Sequence, residues 1–469
     1  MDKIIEVCLI ENEKHSLEDL KHKLEFKNID EENLEFEKIK NKLCKRGILK
    51  TAESLFYFKF VGICLVNNIV IKIIPKYFQK EEECDFKKIL KLLIEYSARE
   101  TLTVKEEAFL SFNINDNNEN LLTLIKFLVD DYFYNGLYLK KEKRNFLNGF
   151  GEIDWNKTIE QNKVLFNQKN QPIYTEIQTT ESTINYNENI TKVHKSILNE
   201  CFDLLKEIKL LDLFAYQVEF FDIEENFDND FKLDILTREL SMQFEDRKTN
   251  LLKSMINFIN RKNDSKDDVQ LTLYGTKYFY IIWEKVNSYV FNNEYKELSK
   301  HISKIQWENN LIKKELDTNQ EVKIKPDILK RYKDLKQNID LIIIDAKYYN
   351  IHSEHKPSSY DVIKQYVYEL AFNYSKEKNK EFNIKSIYNI FLYPNHYHCD
   401  KKYACFGQAK FDIFGLKPIK NIYISDDLIF DRYINMNPFK EENIKEFCKI
   451  IKYRLCEGSF KLNFNNKKV

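Results

Sequence analysis

The sequence predicts a mixed α/β protein whose C-terminal part is a mixed sheet flanked by helices, preceded by a mixed α/β region and a helical middle. Three observations predict it. Apolar runs near 55–78 and 339–349 have strand character, whereas 193–213, 235–260 and 275–291 repeat their apolar residues at helical spacing. From residue 275 to residue 425 the two signals alternate, as expected of a sheet covered by helices. At 469 residues the chain is too long for one ordinary core. We expect an N-terminal mixed α/β domain over 1–160, a helical middle region over 161–268 and a C-terminal domain over 269–469. The run RKNDSKDD (261–268) holds no apolar residue and marks the last boundary.

Composition bounds the function. Apolar residues make 43% of the chain and charged residues 32%, the balance of a globular protein. Its 74 basic and 74 acidic residues cancel, so any grip on nucleic acid must come from local patches. The nine cysteines are scattered without a repeated C-x-x-C spacing, which predicts free thiols in a reducing cytoplasm. Charges break the apolar run at the amino terminus, and no uncharged stretch reaches the roughly 20 residues of a membrane span. Neither a signal peptide nor a membrane partner is expected.

Residues Ile4 to Ile10 alternate weakly as a first strand, and a charged helical segment follows over 17–43. Between Leu55 and Phe78, two apolar runs flank Asn67-Asn68, residues that tolerate the positive φ of a two-residue hairpin turn. Phe86 to Tyr96 and Leu121 to Tyr134 read as helices. The basic cluster Lys140 to Asn145 reads as solvated surface, and Gly149 to Ile159 as a turn delivering a packed Trp155. The pattern G-x-x-x-x-G-K-[ST] is missing, so the chain carries no NTPase loop of its own.

In the C-terminal part, Gly275 to Phe291 is expected to be a helix with Phe279, Ile282, Trp283, Val286 and Val290 facing a core and Glu284 on the flank. Ser358, with Asp361 three residues on, caps a second helix. Its buried face is expected to comprise Val362, Tyr366, Val367, Leu370, Ala371 and Tyr374, with Lys364, Gln365 and Tyr368 on another side. Strands are expected over 386–393, 404–414 and 422–425. His396, His398, Cys399 and Cys405 are borderline-soft zinc ligands, but paired knuckles are lacking and a coincidental loop is the better reading.

The stretch KPDILKRYKDLKQNIDLIIIDAKYY (325–349) carries the chemistry. Period two over 339–349 puts Leu341, Ile343, Asp345 and Lys347 on one face and Ile342, Ile344 and Ala346 on the other. A hairpin or meander through the polar stretch from Lys330 to Asn338 would bring Asp327 beside them. Two carboxylates on a rigid sheet suit Mg²⁺, and a neighbouring lysine is fit to orient or deprotonate water and to offset phosphate charge. D-x-K alone is common by chance and would only solvate a strand end; the preceding Pro326-Asp327 and the apolar run 341–344 give it weight.

The order of these segments resembles the PD-(D/E)xK nuclease core and, within that superfamily, the LlaJI-type restriction endonucleases, relatives of the McrC nuclease subunit. The matching stretches are GTKYFYIIWEKV (275–286), KPDIL (325–329), IDLIIIDAKYY (339–349) and KPSSYDVIKQYVYELAF (356–372), together with 60–78 and 151–159 in the N-terminal half. The resemblance implies Asp327 and Asp345 as metal ligands, with the Ala346 carbonyl a further one, and Lys347 as the catalytic lysine. Glu284 and Gln365 become accessory candidates. The superfamily often has Glu where this chain has Asp345, and either ligates Mg²⁺, with Mn²⁺ a possible substitute. The resemblance further implies a McrBC-like, type II-like restriction endodeoxyribonuclease acting on double-stranded DNA in antiviral defence. A separate McrB-like AAA+ GTPase would use the GTP and dock on residues 1–160, and nuclease domains would pair on DNA for double-strand cleavage.

Two other readings stay open. One is a self-sufficient PD-(D/E)xK nuclease of DNA repair or mobile elements, which would cut without a motor. The other is a non-catalytic adaptor of a DNA motor, which the presence of Asp327, Asp345 and Lys347 together disfavours.

Overall fold

A computed structural model describes residues 5–26, 30–66, 69–81, 84–101, 121–185, 188–207, 211, 219–223, 227–263, 271–301, 325–333, 337–350, 356–378, 383–396 and 402–452. The protein is mixed α/β and forms two compact units, one of Met1–Ser111 with Leu273–Val469 and the other of Phe112–Thr272. The three stretches expected from the sequence are consecutive, whereas the first unit is discontinuous. Strand pairing accounts for this, because segments far apart in the chain share a sheet.

That sheet starts with β1 (Ile5–Ile10), which runs parallel to β5 (Ile69–Ile74), with Ile5 opposite Ile69 and Ile10 opposite Ile74. Between them in sequence come the hairpin β2 (Leu49–Ala52) and β3 (Leu55–Phe58), then β4 (Val61–Val66), antiparallel to β5. The expected turn Asn67-Asn68 lies outside the described residues. The charged segment after β1 forms two helices, Leu17–Lys23 and Asp30–Lys45. Helix Phe86–Arg99 follows β5, capped by Asp85 and burying Phe86, Ile89, Leu90, Leu92, Leu93 and Tyr96 at helical spacing.

The second unit combines helices Leu121–Asn135, Trp155–Gln161, Asn189–Glu207, Asn229–Ser241 and Asp246–Asn263 with strands. β6 (Lys140–Leu147) and β7 (Glu152–Ile153) flank β10 (Gln178–Asn185), and β8 (Val164–Phe166) pairs with β9 (Pro172–Tyr174). Residues 164–185 are therefore not helical, as the middle region was expected to be. The Asn167 side chain accepts from the backbone N–H of Lys169 and of Gln171, both at 2.9 Å, closing a local turn that favours a hairpin over a helix. Trp155 is not packed but 53% exposed, because it opens the short helix after Asp154 on a side that meets no core. Helix Asp246–Asn263 is held by Arg247, whose guanidinium makes two parallel bonds to Asp131, at 2.9 and 2.8 Å.

The chain re-enters the first unit through β11 (Leu271–Thr276), which completes the sheet in the order β1-β5-β4-β11. Here β4 and β11 approach so closely that a Cβ on Gly62 would strike the Tyr274 carbonyl and one on Gly275 the Val61 carbonyl, so both positions require glycine. The helix expected from Gly275 starts only at Phe279; over Phe279–Val290 it buries the whole expected stripe.

A five-stranded sheet follows, in the order β12-β13-β14-β16-β15. Its members are β12 (Ile328–Lys333), β13 (Ile339–Ala346), β14 (Ser386–Asn395), β15 (Tyr403–Ala409) and β16 (Ile419–Ser425). β13, β14 and β16 are parallel, and β12 and β15 close the edges antiparallel. β13 is buried on both faces, hence its unbroken apolar run. Lys330 to Lys333, expected in a turn, belong to β12. Helix Ser359–Lys378 connects β13 to β14 and lies across both. Its buried face is Gln365, Tyr366, Tyr368, Glu369, Phe372 and Ser375, whereas Val367, Leu370 and Tyr374 are exposed. The expected face was thus rotated: Tyr368 and Phe372 pack with Leu341 and Ile343 of β13, and Gln365 comes along at the same spacing. Among the described residues no helix is long and apolar enough to cross a membrane.

Candidate active site

The antiparallel register sets the site. Ile328 pairs with Ile344, so one step further places Asp327 opposite Asp345, on the same face of the sheet. The backbone N–H of Ala346 donates to Asp327 Oδ2 at 2.9 Å, fixing that carboxylate against the end of β13. From the other side, Asn293 donates to the Asp327 carbonyl at 2.8 Å and accepts from the Leu329 N–H at 2.9 Å, which anchors the start of β12. Asp345 is buried, 4% exposed, at the carboxyl end of a central parallel strand.

Lys347 follows where β13 leaves the ladder, its own N–H still donating to the Leu392 carbonyl at 2.8 Å. Its Nζ lies 2.9 Å from Asp345 Oδ2 and 2.7 Å from Asp361 Oδ1. The Asp345 contact is an ion pair out of ideal alignment: among the described residues this buried oxygen has no well-aligned hydrogen-bond donor. Asp361 also closes the helix cap, accepting from the N–H and the hydroxyl of Ser358 at 2.8 and 2.7 Å.

The electrostatics follow from this crowding. Burial, then the charge of Asp345, push the Asp327 carboxyl up to about 8, with Glu284 adding to the effect. Glu284, on the flank of helix Phe279–Val290, is also raised, by burial first and then by Asp345. For Lys347 burial opposes the charge, but Asp345 and Asp361 outweigh it and lift the ammonium to about 12. Asp361 is lowered, since Lys347 and Ser358 overcome the effect of burial.

Asp327, Asp345, Lys347 and the backbone of Ala346 are thus brought together, with Glu284 within electrostatic reach. Gln365 takes a different place. It is fully buried, and its Nε2 donates to the Ile343 and Ile390 carbonyls at 3.2 and 3.3 Å, bridging β13 and β14 beneath the site. The sequence read Asp361 only as a cap; its reach to Lys347 is tertiary, set by where the helix starts relative to the strand end, and no local signal marks it.

His396 lies beside two acids. Its Nδ1 lies 3.1 Å from Asp426 Oδ1 and 4.0 Å from Asp427 Oδ2, while Cys405 Sγ faces the Gly407 carbonyl; His398 and Cys399 lie outside the described residues. Asp426 also accepts from the Tyr77 hydroxyl at 2.7 Å and Asp427 pairs with Lys88 at 2.8 Å, so both acids already have partners.

A family model described as LlaJI restriction endonuclease matches residues 60–427. The type II restriction enzyme BsuMI component YdjA of Bacillus subtilis (strain 168) is 28% identical over 423 residues, which cover 86% of this chain and 87% of that protein. Among solved structures, a chain of a refined half-complex from a tetradecameric assembly of Thermococcus gammatolerans McrB AAA+ hexamers with bound McrC aligns over 94% of this chain and 100% of its own, at 12% identity and a TM-score of 0.41. A chain of the cryo-EM structure of the Thermococcus gammatolerans McrBC complex aligns over 54% and 79%, at 12% identity and a TM-score of 0.23.

Proposed function

The chain belongs to the LlaJI restriction endonuclease family, and from that membership we propose that it is the DNA-cleaving subunit of a restriction system, hydrolysing phosphodiester bonds of foreign double-stranded DNA. The observation that carries the reading is the register that sets Asp327 opposite Asp345, with Lys347 Nζ 2.9 Å from the latter. The mixed sheet with helix Ser359–Lys378 across its parallel centre supports a PD-(D/E)xK core.

The donor set fits Mg²⁺ or Mn²⁺. Asp327 and Asp345 are hard oxygen ligands on opposed backbone, the buried Asp345 Oδ2 has no well-aligned hydrogen-bond donor among the described residues, and the Ala346 carbonyl is a third candidate. When bound, the ion supplies Lewis acidity that acidifies water and offsets phosphate charge. Lys347, pinned between Asp345 and Asp361, presents a fixed ammonium that orients the nucleophile and neutralises charge growing on the phosphate. Glu284, its proton affinity raised, is placed to take up a proton at its carboxylate. Gln365 acts from below, holding β13 to β14 and so fixing Asp345.

A separate McrB-like AAA+ GTPase would drive the reaction, with GTP used by that partner alone and nuclease domains pairing on DNA to cut both strands. A DNA substrate places this work in the cytoplasm. The test is cleavage of unmodified plasmid with Mg²⁺ by wild type and Asp345→Ala, each with and without the AAA+ protein and GTP. Cutting by the wild type only with motor and GTP, and lost in the variant, supports the whole reading. Cutting by the wild type alone removes the motor from it, and activity that survives Asp345→Ala removes the site.

A further inference from the structure

We propose that Lys364 is a further catalytic residue, the cation that receives a phosphate of the DNA backbone above the carboxylates. The proposal rests on the nuclease reading and adds to it a residue that touches substrate.

Helix Ser359–Lys378 is fixed over the site at three points. Asp361 Oδ1 meets Lys347 Nζ at 2.7 Å, Gln365 Nε2 meets the Ile343 and Ile390 carbonyls, and the Tyr368 hydroxyl donates to the Lys325 carbonyl at 3.1 Å, two residues before Asp327. Residues 361, 365 and 368 lie on one face, at helical spacing. Lys364 is three residues after Asp361 and four before Tyr368, so it shares that face and falls between the two contacts that bracket the carboxylates. Its Nζ lies 5.6 Å from the centre of the Tyr368 ring, which holds the ammonium in place.

The two lysines differ in what is left of their charge. Lys347 is committed to two carboxylates. Lys364 makes no ion pair among the described residues, although it is close enough for Asp345 and Asp327 to help raise its proton affinity against the effect of burial. With Asp327 and Asp345 given to the metal and Lys347 paired with Asp345 and Asp361, a further phosphate of the backbone needs a cation of its own. Lys364 is such a cation: half-buried and held against the Tyr368 ring.

Lys364→Met keeps the aliphatic stem on Tyr368 and removes the ammonium, its charge and its hydrogen bond to Tyr368 together; Lys364→Arg restores the charge and the donor with another shape. Single-turnover cleavage is measured under the conditions in which the wild type cuts, as a function of Mg²⁺, and duplex binding is measured with Ca²⁺ in place of Mg²⁺ across a salt series. The Met variant is expected to lose about 100-fold in rate, with half-saturating Mg²⁺ within twofold of wild type. Its slope of log Kd against log salt should fall by about 1, as for the loss of one phosphate contact. The Arg variant should recover the slope. A Met variant within threefold of the wild-type rate with an unchanged slope overturns the proposal, as does an effect confined to the Mg²⁺ dependence, which would make Lys364 a counter-charge for the acids. If the wild type cuts no better than Asp345→Ala, the nuclease reading falls and this proposal with it. If only Asp345→Ala is dead and Lys364→Met cuts normally, the nuclease reading stands and this one falls.

Discussion

The Tyr348 hydroxyl donates to Glu11 Oε2 at 2.6 Å in a buried contact between the residue after Lys347 and the residue after β1. The same hydroxyl accepts from the Lys76 N–H at 3.3 Å, so the first sheet grips the chain immediately beyond the candidate lysine. Tyr348→Phe leaves Glu11 with a lone, long bond to the Lys76 N–H. We expect a cost of about 1–3 kcal/mol in urea unfolding and a slower cleavage rate with unchanged Mg²⁺ dependence.

Asp327→Asn should separate stability from activity. Its side-chain carbonyl can still accept from Ala346, but the repulsion with Asp345 is gone. The Asp327 pKa is raised in the folded state, so its ionisation costs stability as pH rises from about 4 to about 8. In EDTA the variant should therefore melt higher than wild type at pH 8, by roughly 1–2 kcal/mol of added stability, with the gap closing toward pH 4, while cleavage is abolished. Equal melting curves at both pH values would contradict the crowding of these carboxylates.

His194 is buried in the second unit and accepts from the Tyr138 N–H at 3.0 Å through Nδ1, which therefore carries no proton. Burial lowers its pKa to about 4. A depressed histidine contributes stability that is complete above about 6.5 and lost as pH falls toward 4. At the acidic end the loss approaches ~3 kcal/mol. His194→Gln should flatten the melting temperature between pH 6.5 and 4 relative to wild type.

Gln365 offers a graded test of the scaffold. Gln365→Leu removes two hydrogen bonds and should cost about 1–3 kcal/mol. Gln365→Glu should cost more at neutral pH, since it faces a buried carboxylate toward two carbonyls, and should recover on acidification as that carboxylate takes a proton. Thermal melts at pH 5 and pH 8 distinguish the two variants.

The central strand was legible because β13 is covered on both faces and spells that out as a continuous apolar run; Asp345 stands near the end of that run, whereas Asp327 stands just before β12, where only Ile328 and Leu329 are buried, and its place opposite Asp345 follows from the pairing. The face of helix Ser359–Lys378 was not. Val367, Leu370 and Tyr374 outline an apolar stripe as plausible as the true one, and only packing on Leu341 and Ile343 decides between them. Val164–Phe166 and Pro172–Tyr174 failed for another reason: these strands are short and mostly exposed, so burial writes no alternation into them. The pairing of β1 with β5 and of β4 with β11 depends on partners distant in sequence, and periodicity is silent about partners.

The discontinuity of the first unit bears on the order of synthesis. A ribosome makes β1, β4 and β5 first and then the whole of Phe112–Thr272 before any of β12 to β16 exists. At typical elongation rates that interval is on the order of 10–30 s. Throughout it the nascent chain holds neither Asp327 nor Asp345, and after both have emerged it still lacks the parallel neighbours β14 and β16 that keep β13 in place. A nascent chain thus cannot set Asp327 and Asp345 on a complete sheet until synthesis has passed Ser425, late in the order of the polypeptide.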